Sequence, residues 1–524
     1  MKHLYKAVLV VTVFTLIDRI MGFGFKIYLS RELGAVNLGI YQIALSMFFV
    51  LLTFTTSGTP LVVSKLTSVF RKRNDRNSEY ALLSAALIVG LVFAGVICAV
   101  FYLFSNVIGT IFAAKESMNL LLLLLPGVLF SGIYAAFRGN LWGRERYIAA
   151  SVIEVIEQTA RIGICVLLIL LGFNKLRVTA LSMSVACGIT SVCYIACYLK
   201  EKGRLKNPKG YLQPLLKQAV PITMIRASNT VVNSLISIAV PFLLTVSGLS
   251  VSQSLAVYGT SIGMALPLLY LPVTVVGSLA YVMIPTLSSA YASGDKKSMQ
   301  SQIESAILFS LIAAAVFMPM FLALGKPIGL FVYNSAEAGR FLSLSGWLLI
   351  PIAAEHIVSS MMNSLDLEKR SFINYLIGAA LMFALMFAFG KNFRIEVLIF
   401  GLGLSWTAST VLDIMAIKQK TGIRLTFIVP LLKCIALILP ATCLTGWLYA
   451  LVSFLPVVLR LMLSAFLGIS FFCALSLVFG IFDLSLFFRG RKQFKQPING
   501  QLIYRVDKVR LKRTKRFKHK KTVA

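Results

Sequence analysis

The chain has 524 residues, of which 58% are hydrophobic and only 13% are charged, and its mean hydropathy is +0.85. These values exclude an ordinary soluble enzyme and indicate a polytopic membrane protein. The formal net charge of +32 would suit a nucleic-acid partner, but 14 Lys and Arg residues lie after Leu486, so much of the excess belongs to a C-terminal tail.

Apolar runs of about 20 residues recur through the chain, which is typical of membrane helices and not of a β-barrel. The first run lacks a small-residue cleavage site and continues into Asp18 and Arg19, so we predict a retained helix instead of a signal peptide. The fourteen predicted spans are 5–28, 38–63, 80–104, 119–138, 148–172, 177–199, 217–246, 256–285, 303–324, 338–362, 372–390, 395–417, 427–452 and 457–482.

Basic residues concentrate in alternate loops and in the tail. The basic loops are 64–79, 139–147, 200–216, 286–302, 363–371 and 418–426. Because short cytoplasmic loops are rich in Lys and Arg, we expect both termini to be cytoplasmic. The tail is interpreted as part of this signal, with affinity for anionic lipid headgroups; RNA or a partner protein is the alternative.

A faint internal repeat divides the chain. Three pairs of identical residues are 225 positions apart: Pro60 and Pro285, Ser64 and Ser289, and Pro126 and Pro351. The predicted parts are an N-terminal lobe of spans 1–6 (1–216), a C-terminal lobe of spans 7–12 (217–426), a helix pair (427–484) and a basic cytoplasmic tail (485–524). Transporters with such repeats bind their substrate between the two halves.

A polar stripe interrupts the fifth span. Glu154, Glu157, Gln158 and Arg161 are spaced i, i+3, i+4 and i+7, so they share one face of a helix. A charged side chain near the bilayer centre costs roughly 2.5–3.5 kcal/mol even on insertion scales. We therefore expect this face to point into the bundle or a wet cavity.

Motifs of enzymatic chemistry are absent from the sequence. It has no P-loop, no nucleophile elbow and no His, Cys and Asp cluster with metal-ligand spacing, and its eight cysteines lie in apolar runs, where they are interpreted as packing residues. We predict a protein that is not an enzyme, with no catalytic residues, no bound metal and no cofactor.

Further ionisable residues lie inside the predicted spans. They are Asp18, Arg19 and Lys26 in span 1, Arg226 in span 7, Glu355 and His356 in span 10, and Asp413 in span 12.

Two interpretations of these buried charges remain open. In one, they neutralise each other and hold helices together. In the other, Arg19, Arg161 and Arg226, with Lys26, line a cavity for an anionic substrate, because guanidinium groups suit phosphate geometry. The acids Asp18, Glu154 and Glu157, with Gln158, would then orient the cations or respond to a coupling ion.

Span 10 carries an adjacent pair, Glu355 and His356. Because histidine titrates near neutral pH, the pair could be a proton relay. The preferred interpretation is a polar contact at a helix interface. Asp413 lies near the end of its span and is interpreted as a solvated boundary residue.

Five stretches carry a family resemblance. They are DRIMGFGFKIYLSRELGAVNLGIYQIA (18–44), GTPLVVSKL (58–66), FRGNLWGRERY (137–147), IEQTAR (156–161) and NSLDLEKRS (363–371). With these the chain resembles the polysaccharide-transport branch of the multidrug/oligosaccharidyl-lipid/polysaccharide (MOP) exporter superfamily. Within it, the chain is similar to the stage V sporulation protein B group and the related lipid II flippases.

The resemblance implies a fold and a function. It implies fourteen helices in two lobes that form a V, and alternating access that moves a lipid-linked glycan to the outer leaflet of a bacterial plasma membrane. It also implies a role in cell-wall, spore-cortex or surface polysaccharide assembly, and a cationic cavity similar to one formed by Arg19, Arg161 and Arg226. The long basic tail is not typical of the family.

The leading hypothesis is a flippase for an undecaprenyl-pyrophosphate-linked sugar such as a peptidoglycan precursor. Since the sequence has no nucleotide-binding motif, its driving force would be an ion gradient, the membrane potential or consumption of the product. One alternative is an ion-coupled exporter of cationic drugs, for which an acidic cavity would be expected. Another is a non-transporting scaffold that recruits cell-envelope enzymes through its tail.

Overall fold

The computed structural model describes residues 2–390, 393–423 and 428–481, and their regular secondary structure is entirely helical. The predicted tail, 485–524, lies outside these residues. The first seven helices are α1 (Lys2–Thr56), α2 (Gly58–Lys72), α3 (Arg76–Leu103), α4 (Ser105–Gly109), α5 (Lys115–Gly143), α6 (Tyr147–Leu170) and α7 (Lys175–Lys200).

Ten more helices follow the connector at 201–211. They are α8 (Leu212–Val246), α9 (Val251–Tyr258), α10 (Leu266–Ser293), α11 (Lys296–Tyr333), α12 (Ala336–Ser345), α13 (Leu349–Ser364), α14 (Glu368–Phe389), α15 (Arg394–Thr421), α16 (Ile428–Leu451) and α17 (Val457–Val478). A π-helical turn, Gly259–Ala265, joins α9 to α10, and a 3-10 turn, Gly346–Leu348, joins α12 to α13. Residues up to Phe472 form one compact unit; of the second unit, residues 473–481 are described.

Twelve of the described helical segments are long and apolar enough to cross a membrane. The prediction of an all-α polytopic membrane protein is therefore confirmed. One of the twelve, Val10–Lys72, has 63 residues and covers most of the first predicted span and all of the second. The stripe-bearing helix α6 is not among the twelve but has 24 residues, enough to cross a bilayer. The count of fourteen spans stays a prediction.

The chain reverses direction within α1, at Gly34. Gly34 has a φ of 71°, a backbone conformation that residues with a side chain rarely adopt. Before Gly34, α1 runs in the same direction as α6, since a Cβ on Gly22 would lie 3.2 Å from Gln158 Nε2 and Phe25 contacts Arg161.

After Gly34, α1 instead follows α5. The Ser117 hydroxyl donates to the Ile40 carbonyl at 3.3 Å, and the hydroxyl oxygens of Thr55 and Ser131 are 2.7 Å apart.

Helix α7 fixes the relative direction of α5 and α6. Ser184 and Ser191 donate to the carbonyls of Leu123 and Phe130, so α7 runs parallel to α5. On α6, Arg161 contacts Met183 of α7, and Cys165, four residues later, contacts Thr179, four residues earlier. Helix α7 therefore runs antiparallel to α6. The two parts of α1 are therefore antiparallel, and Gly34 marks one end of the bundle. We call this the far end; the near end is where α1 begins and α2 ends.

A buried ionic network holds the near end of helices α1–α7, which we call the first half. The Arg144 guanidinium, 5% exposed, lies 2.6 Å from Glu79 Oε1 and 2.7 Å from Glu201 Oε2. It thereby joins the end of α5 to the start of α3 and to the connector after α7. Asp75 caps α3 by accepting hydrogen bonds from the side chain and backbone of Ser78, and these lower the pKa of its carboxyl group.

The first half meets α8 and α9 at two glycine contacts. At the far end, a Cβ on Gly39 would lie 2.2 Å from the Leu255 carbonyl oxygen, and one on Gly259 would lie 2.0 Å from that of Ala35. We call this contact between α1 and the α9 region the far seam. Arg31 extends it by donating from Nε to the Val332 carbonyl at the end of α11, at 2.7 Å.

The second glycine contact lies at the near end. A Cβ on Gly58 would lie 2.3 Å from the Ala219 carbonyl oxygen and 2.4 Å from Thr223 Oγ1. We call this contact between α2 and α8 the near seam. Small residues let helix backbones approach in this way, so the halves touch at both ends around the middle of the bundle.

Candidate functional site

The polar stripe predicted in span 5 lies on α6 and faces other helices of the first half. Arg161 donates from Nη2 to Gln158 Oε1 and from Nη1 to Met183 Sδ, at 3.3 Å, and its guanidinium carbon lies 5.6 Å from the Phe25 ring centroid. Gln158 is buried, and its Nε2 has no hydrogen-bond partner among the described residues. The stripe therefore lies on the side of α6 that contacts other helices, with Gln158 buried and the Glu154 side chain 42% exposed.

Two carboxyl groups, those of Asp18 and Glu157, lie within electrostatic range of this arginine, and that of Glu154 lies near both. Asp18 of α1 is half-buried and lies within electrostatic range of Arg161 and Arg19. Glu157 interacts with Arg161 and with the Thr190 side chain, and Glu154 interacts with Asp18 and Glu157. The structure thus brings together Asp18, Glu154, Glu157, Gln158 and Arg161, which are five of the ten predicted site residues.

Arg138 of α5 joins this cluster, although sequence reasoning did not select it. Its Nη1 lies 3.9 Å from Glu154 Oε1, and its Nη2 donates to the Thr56 carbonyl at 3.5 Å. It is the last residue of predicted span 4, directly before the basic loop 139–147. A usable signal existed, since Tyr134 and Trp142 lie four residues before and after it on the helix, and both rings contact its guanidinium.

The remaining predicted cations are placed less centrally. Arg19 is exposed and interacts with Asp18, and Lys26 is half-buried on the same helix. Arg226 is exposed on α8, where its carbonyl accepts a hydrogen bond from Thr230 one turn later. A cation on each wall of a shared cavity stays a prediction.

A cavity of about 470 Å³ lies between the second part of α1 and helix α8. Thr53 and Thr230 share a hydroxyl contact of 3.3 Å across it, and Ser46 and Ser234 share one of 3.4 Å. The lining residues are Ser46, Phe49, Leu52, Thr53, Thr56, Thr230, Asn233, Ser234 and Ser237. The wall is therefore rich in uncharged hydrogen-bonding groups, and it lies beside the charged cluster because Thr56 also contacts Arg138.

Asp413 is not the solvated boundary residue that its position in the sequence indicated. It is 4% exposed, and its carboxylate accepts hydrogen bonds of 2.7 Å from Ser371 Oγ and from Asn374 Nδ2. The prediction was wrong because the donors come from the neighbouring helix α14. They compensate for the lost hydration of the carboxylate.

Glu355 and His356 face different neighbours, as expected of consecutive residues on a helix. Glu355 interacts with Asp413, Tyr270 and Tyr375. His356 is exposed, and its Nε2 would lie 3.1 Å from a Cβ on Gly277. Their role as a relay or as an interface pair stays a prediction.

Family comparison decides what kind of protein carries this arrangement. A model of the polysaccharide biosynthesis protein family matches residues 4–291, which is more than half of the chain. The chain belongs to the polysaccharide biosynthesis protein family. The match covers the whole first half, both seams and both walls of the cavity.

Two curated relatives from Bacillus subtilis (strain 168) extend this assignment. The family member is 24% identical to stage V sporulation protein B over 397 residues, covering 73% of this chain and 77% of the relative. It is 23% identical to the lipid II flippase MurJ over 460 residues, covering 80% of this chain and 83% of that relative.

Solved structures share the fold. An inward-facing multidrug resistance MATE family transporter of the MOP superfamily matches with a TM-score of 0.66 at 12% identity, covering 79% of this chain and 98% of that one. The lipid II flippase MurJ in an inward closed conformation matches with a TM-score of 0.64 at 16% identity, covering 90% of this chain and 98% of that one.

These matches bear out several predictions. The predicted polysaccharide-transport family and the multi-pass membrane location are confirmed, and the fold is shared with a transporter of the MOP superfamily. The relative MurJ is named as a flippase and the matched MATE protein as a transporter, in agreement with the prediction that this family member is not an enzyme.

Proposed function

We propose that the protein is a flippase that moves a lipid-linked glycan across a bacterial plasma membrane by alternating access. The observation that carries this proposal is the cavity between α1 and α8, with its hydroxyl-rich wall beside a cluster of arginines and carboxylates. Cavities of roughly 300–1,000 Å³ hold small ligands, so about 470 Å³ suits a headgroup.

Each part of this site suits one part of an undecaprenyl-pyrophosphate-linked sugar. Serine, threonine and asparagine side chains both donate and accept hydrogen bonds, as the hydroxyl groups of a sugar require. The Arg161 guanidinium suits phosphate oxygens, with Arg19, Arg226 and Lys26 as further cations. Asp18, Glu154 and Glu157 would orient these cations.

The relatives support the same class of substrate. One curated relative and one solved structure are both named lipid II flippase. The two-lobe division at 216 and 217 fits a cavity with one wall on α1 and the other on α8. In this proposal both termini are cytoplasmic, and the product serves cell-wall, spore-cortex or surface polysaccharide assembly.

A reconstituted assay tests the proposal. The protein would be placed in liposomes with a fluorescent undecaprenyl-pyrophosphate-linked precursor, and movement between leaflets would be followed by quenching. We expect transport by the wild type and slower transport by Arg161→Ala and Arg19→Ala. Arg73→Ala, at an exposed site after α2, is the matched control and should transport normally.

Other results would overturn the proposal. Efflux of a cationic dye without lipid movement would favour the ion-coupled drug exporter. Neither activity, from a protein with a normal unfolding temperature, would favour the scaffold that recruits envelope enzymes. Normal lipid transport by both arginine variants would remove those arginines from the site while leaving the function standing.

A further inference from the structure

Arg138 is an arginine whose hydrogen-bonding capacity is largely unused. A guanidinium has five N–H donors. The described structure gives this one a single long hydrogen bond, 3.5 Å to the Thr56 carbonyl, and a loose ion pair, 3.9 Å to Glu154. Its Nε is buried and has no partner among the described residues. Its side chain is 23% exposed, so water replaces only part of the missing contacts.

Arg144 on the same stretch of chain shows what a satisfied arginine looks like in this protein. It follows Arg138 by six residues, and its two ion pairs, with Glu79 and Glu201, measure 2.6 and 2.7 Å. Because an underpaired, partly buried charge is costly, the loose pairing of Arg138 calls for a partner that the described residues do not supply.

Two aromatic rings hold the Arg138 guanidinium in place without using its N–H groups. Its central carbon lies 5.1 Å from the Trp142 ring centroid and 5.8 Å from that of Tyr134. Cation–π contacts of this kind fix the position of a guanidinium and leave its edge free for an oxyanion. The group is therefore positioned before any ligand arrives.

The location of Arg138 indicates which ligand would use it. Thr56, which accepts its hydrogen bond, also lines the cavity between α1 and α8, and Glu154 belongs to the charged cluster on α6. A phosphate oxygen at this edge of the cavity would form shorter, charge-assisted bonds than either present partner.

We propose that Arg138 binds the phosphate of a membrane-embedded lipid held in this cavity, and that Glu154 is the counter-ion it releases on binding. The proposal rests on the proposed function and deepens it, since it assigns the phosphate of the lipid-linked glycan to a residue outside the predicted set. The phosphate of a bulk anionic phospholipid has the same chemistry and is separated from it by experiment.

The experiment measures equilibrium binding of undecaprenyl pyrophosphate to the purified full-length protein in nanodiscs, with and without phosphatidylglycerol. We expect Arg138→Gln to weaken binding about 10- to 100-fold, the effect of losing charge-assisted hydrogen bonds. Glu154→Gln removes the competing carboxylate and should tighten binding by up to about fivefold, the strength of a loose ion pair. Arg146→Gln, at a 61% exposed site, is the control and should bind like the wild type.

Opposite effects of the two variants distinguish ligand binding from a structural pair. If both variants weakened binding and lowered the unfolding temperature together, Arg138 and Glu154 would be a structural pair and the proposal would be wrong. Normal binding by Arg138→Gln would also overturn it. If phosphatidylglycerol removed the difference in binding between the wild type and Arg138→Gln, the site would belong to bulk lipid and the substrate assignment would be wrong. No binding by the wild type would count against the proposed function itself.

Discussion

Alternating access requires the bundle to open at one end at a time. Replacing a single glycine at the far seam should favour opening at the far end, and replacing one at the near seam should favour opening at the near end. In Gly39→Ala, the new methyl group would lie 2.2 Å from the Leu255 carbonyl oxygen, whereas ordinary contacts begin at 3.4 Å. The far seam must therefore open by about 1.2 Å. No side-chain rotation can relieve the clash, because the opposing atom belongs to the backbone.

The size of the shift follows from the cost of overpacking, which is typically about 1–3 kcal/mol for an extra methyl group in a packed interface. The cost falls only on conformations in which the seam is closed. Helix propensity favours alanine by up to about 1 kcal/mol, but equally in both conformations. Gly39→Ala should thus raise the ratio of far-open to far-closed molecules about 5- to 150-fold, and Gly58→Ala should do the same for the near end.

Distances between spin labels can measure these populations. After replacement of the native cysteines, one label pair at Arg177 and Ser252 reports on the far end, and another at Arg73 and Lys297 reports on the near end. All four positions are exposed.

We expect Gly39→Ala to lengthen only the far-end distances and Gly58→Ala only the near-end distances. Gly24→Ala is the matched control, because a Cβ there would meet nothing within 4 Å. Unchanged distances in both seam variants, at normal unfolding temperatures, would refute the assignment of the seams as the contacts that separate. A shift of both variants toward the same conformation would refute it too.

Three further predictions concern stability. Arg144→Ala should lower the free energy of unfolding by up to about 3–5 kcal/mol, measured by denaturant titration in detergent, because the buried Glu79 carboxylate loses its short ion pair and keeps only Asn140 at 3.2 Å and Arg71 at 4.0 Å. A loss below 1 kcal/mol would contradict the burial of this network. Asp413→Ala should cost about 1–3 kcal/mol in the same assay by leaving the Asn374 amide without its acceptor, and Asp413→Asn should cost less. The Asp75 cap stabilises α3 fully above the pKa of an unfolded aspartate, and this stabilisation is lost as the pH falls through the lowered folded-state pKa. Hydrogen exchange in the first turn of α3, corrected for intrinsic rates, should therefore rise at acidic pH in the wild type. It should not rise in Asp75→Asn.

Apolar run length was enough to predict the helical architecture, because a membrane helix must satisfy its backbone within itself. The edges of the helices were harder to predict. Span 9 was placed at 303–324, but α11 extends over Lys296–Tyr333, beyond the apolar run at both ends. Span 10 contains a 3-10 turn at Gly346–Leu348 that hydropathy does not register.

The charged residues divide according to where their partners come from. The stripe on α6 was predicted to be interior because its residues share one helix face, a property of local sequence. Asp413 was misread because Ser371 and Asn374 approach it from another helix. Arg138 was missed because hydropathy placed it at a boundary, while its contacts with Thr56 and Glu154 depend on how α1 and α6 pack against α5.

The two seams and the cavity together constrain how transport would proceed. Thr56 and Arg138 belong to the same half, and a Cβ on Gly139 would lie 2.6 Å from the Pro60 carbonyl oxygen, so α2 and α5 are closely packed around them. The opposite wall of the cavity belongs to α8, where Asn233 accepts a 2.6 Å hydrogen bond from Tyr375 of α14. When α8 separates from α2 at the near seam, the proposed phosphate site would stay intact on the first half while the hydroxyl wall moves away. A substrate would then keep its phosphate contact and exchange its sugar contacts at each step. Variants of Arg138 should therefore change substrate affinity. Variants of Thr230 or Asn233 should change the rate of lipid transport more than affinity.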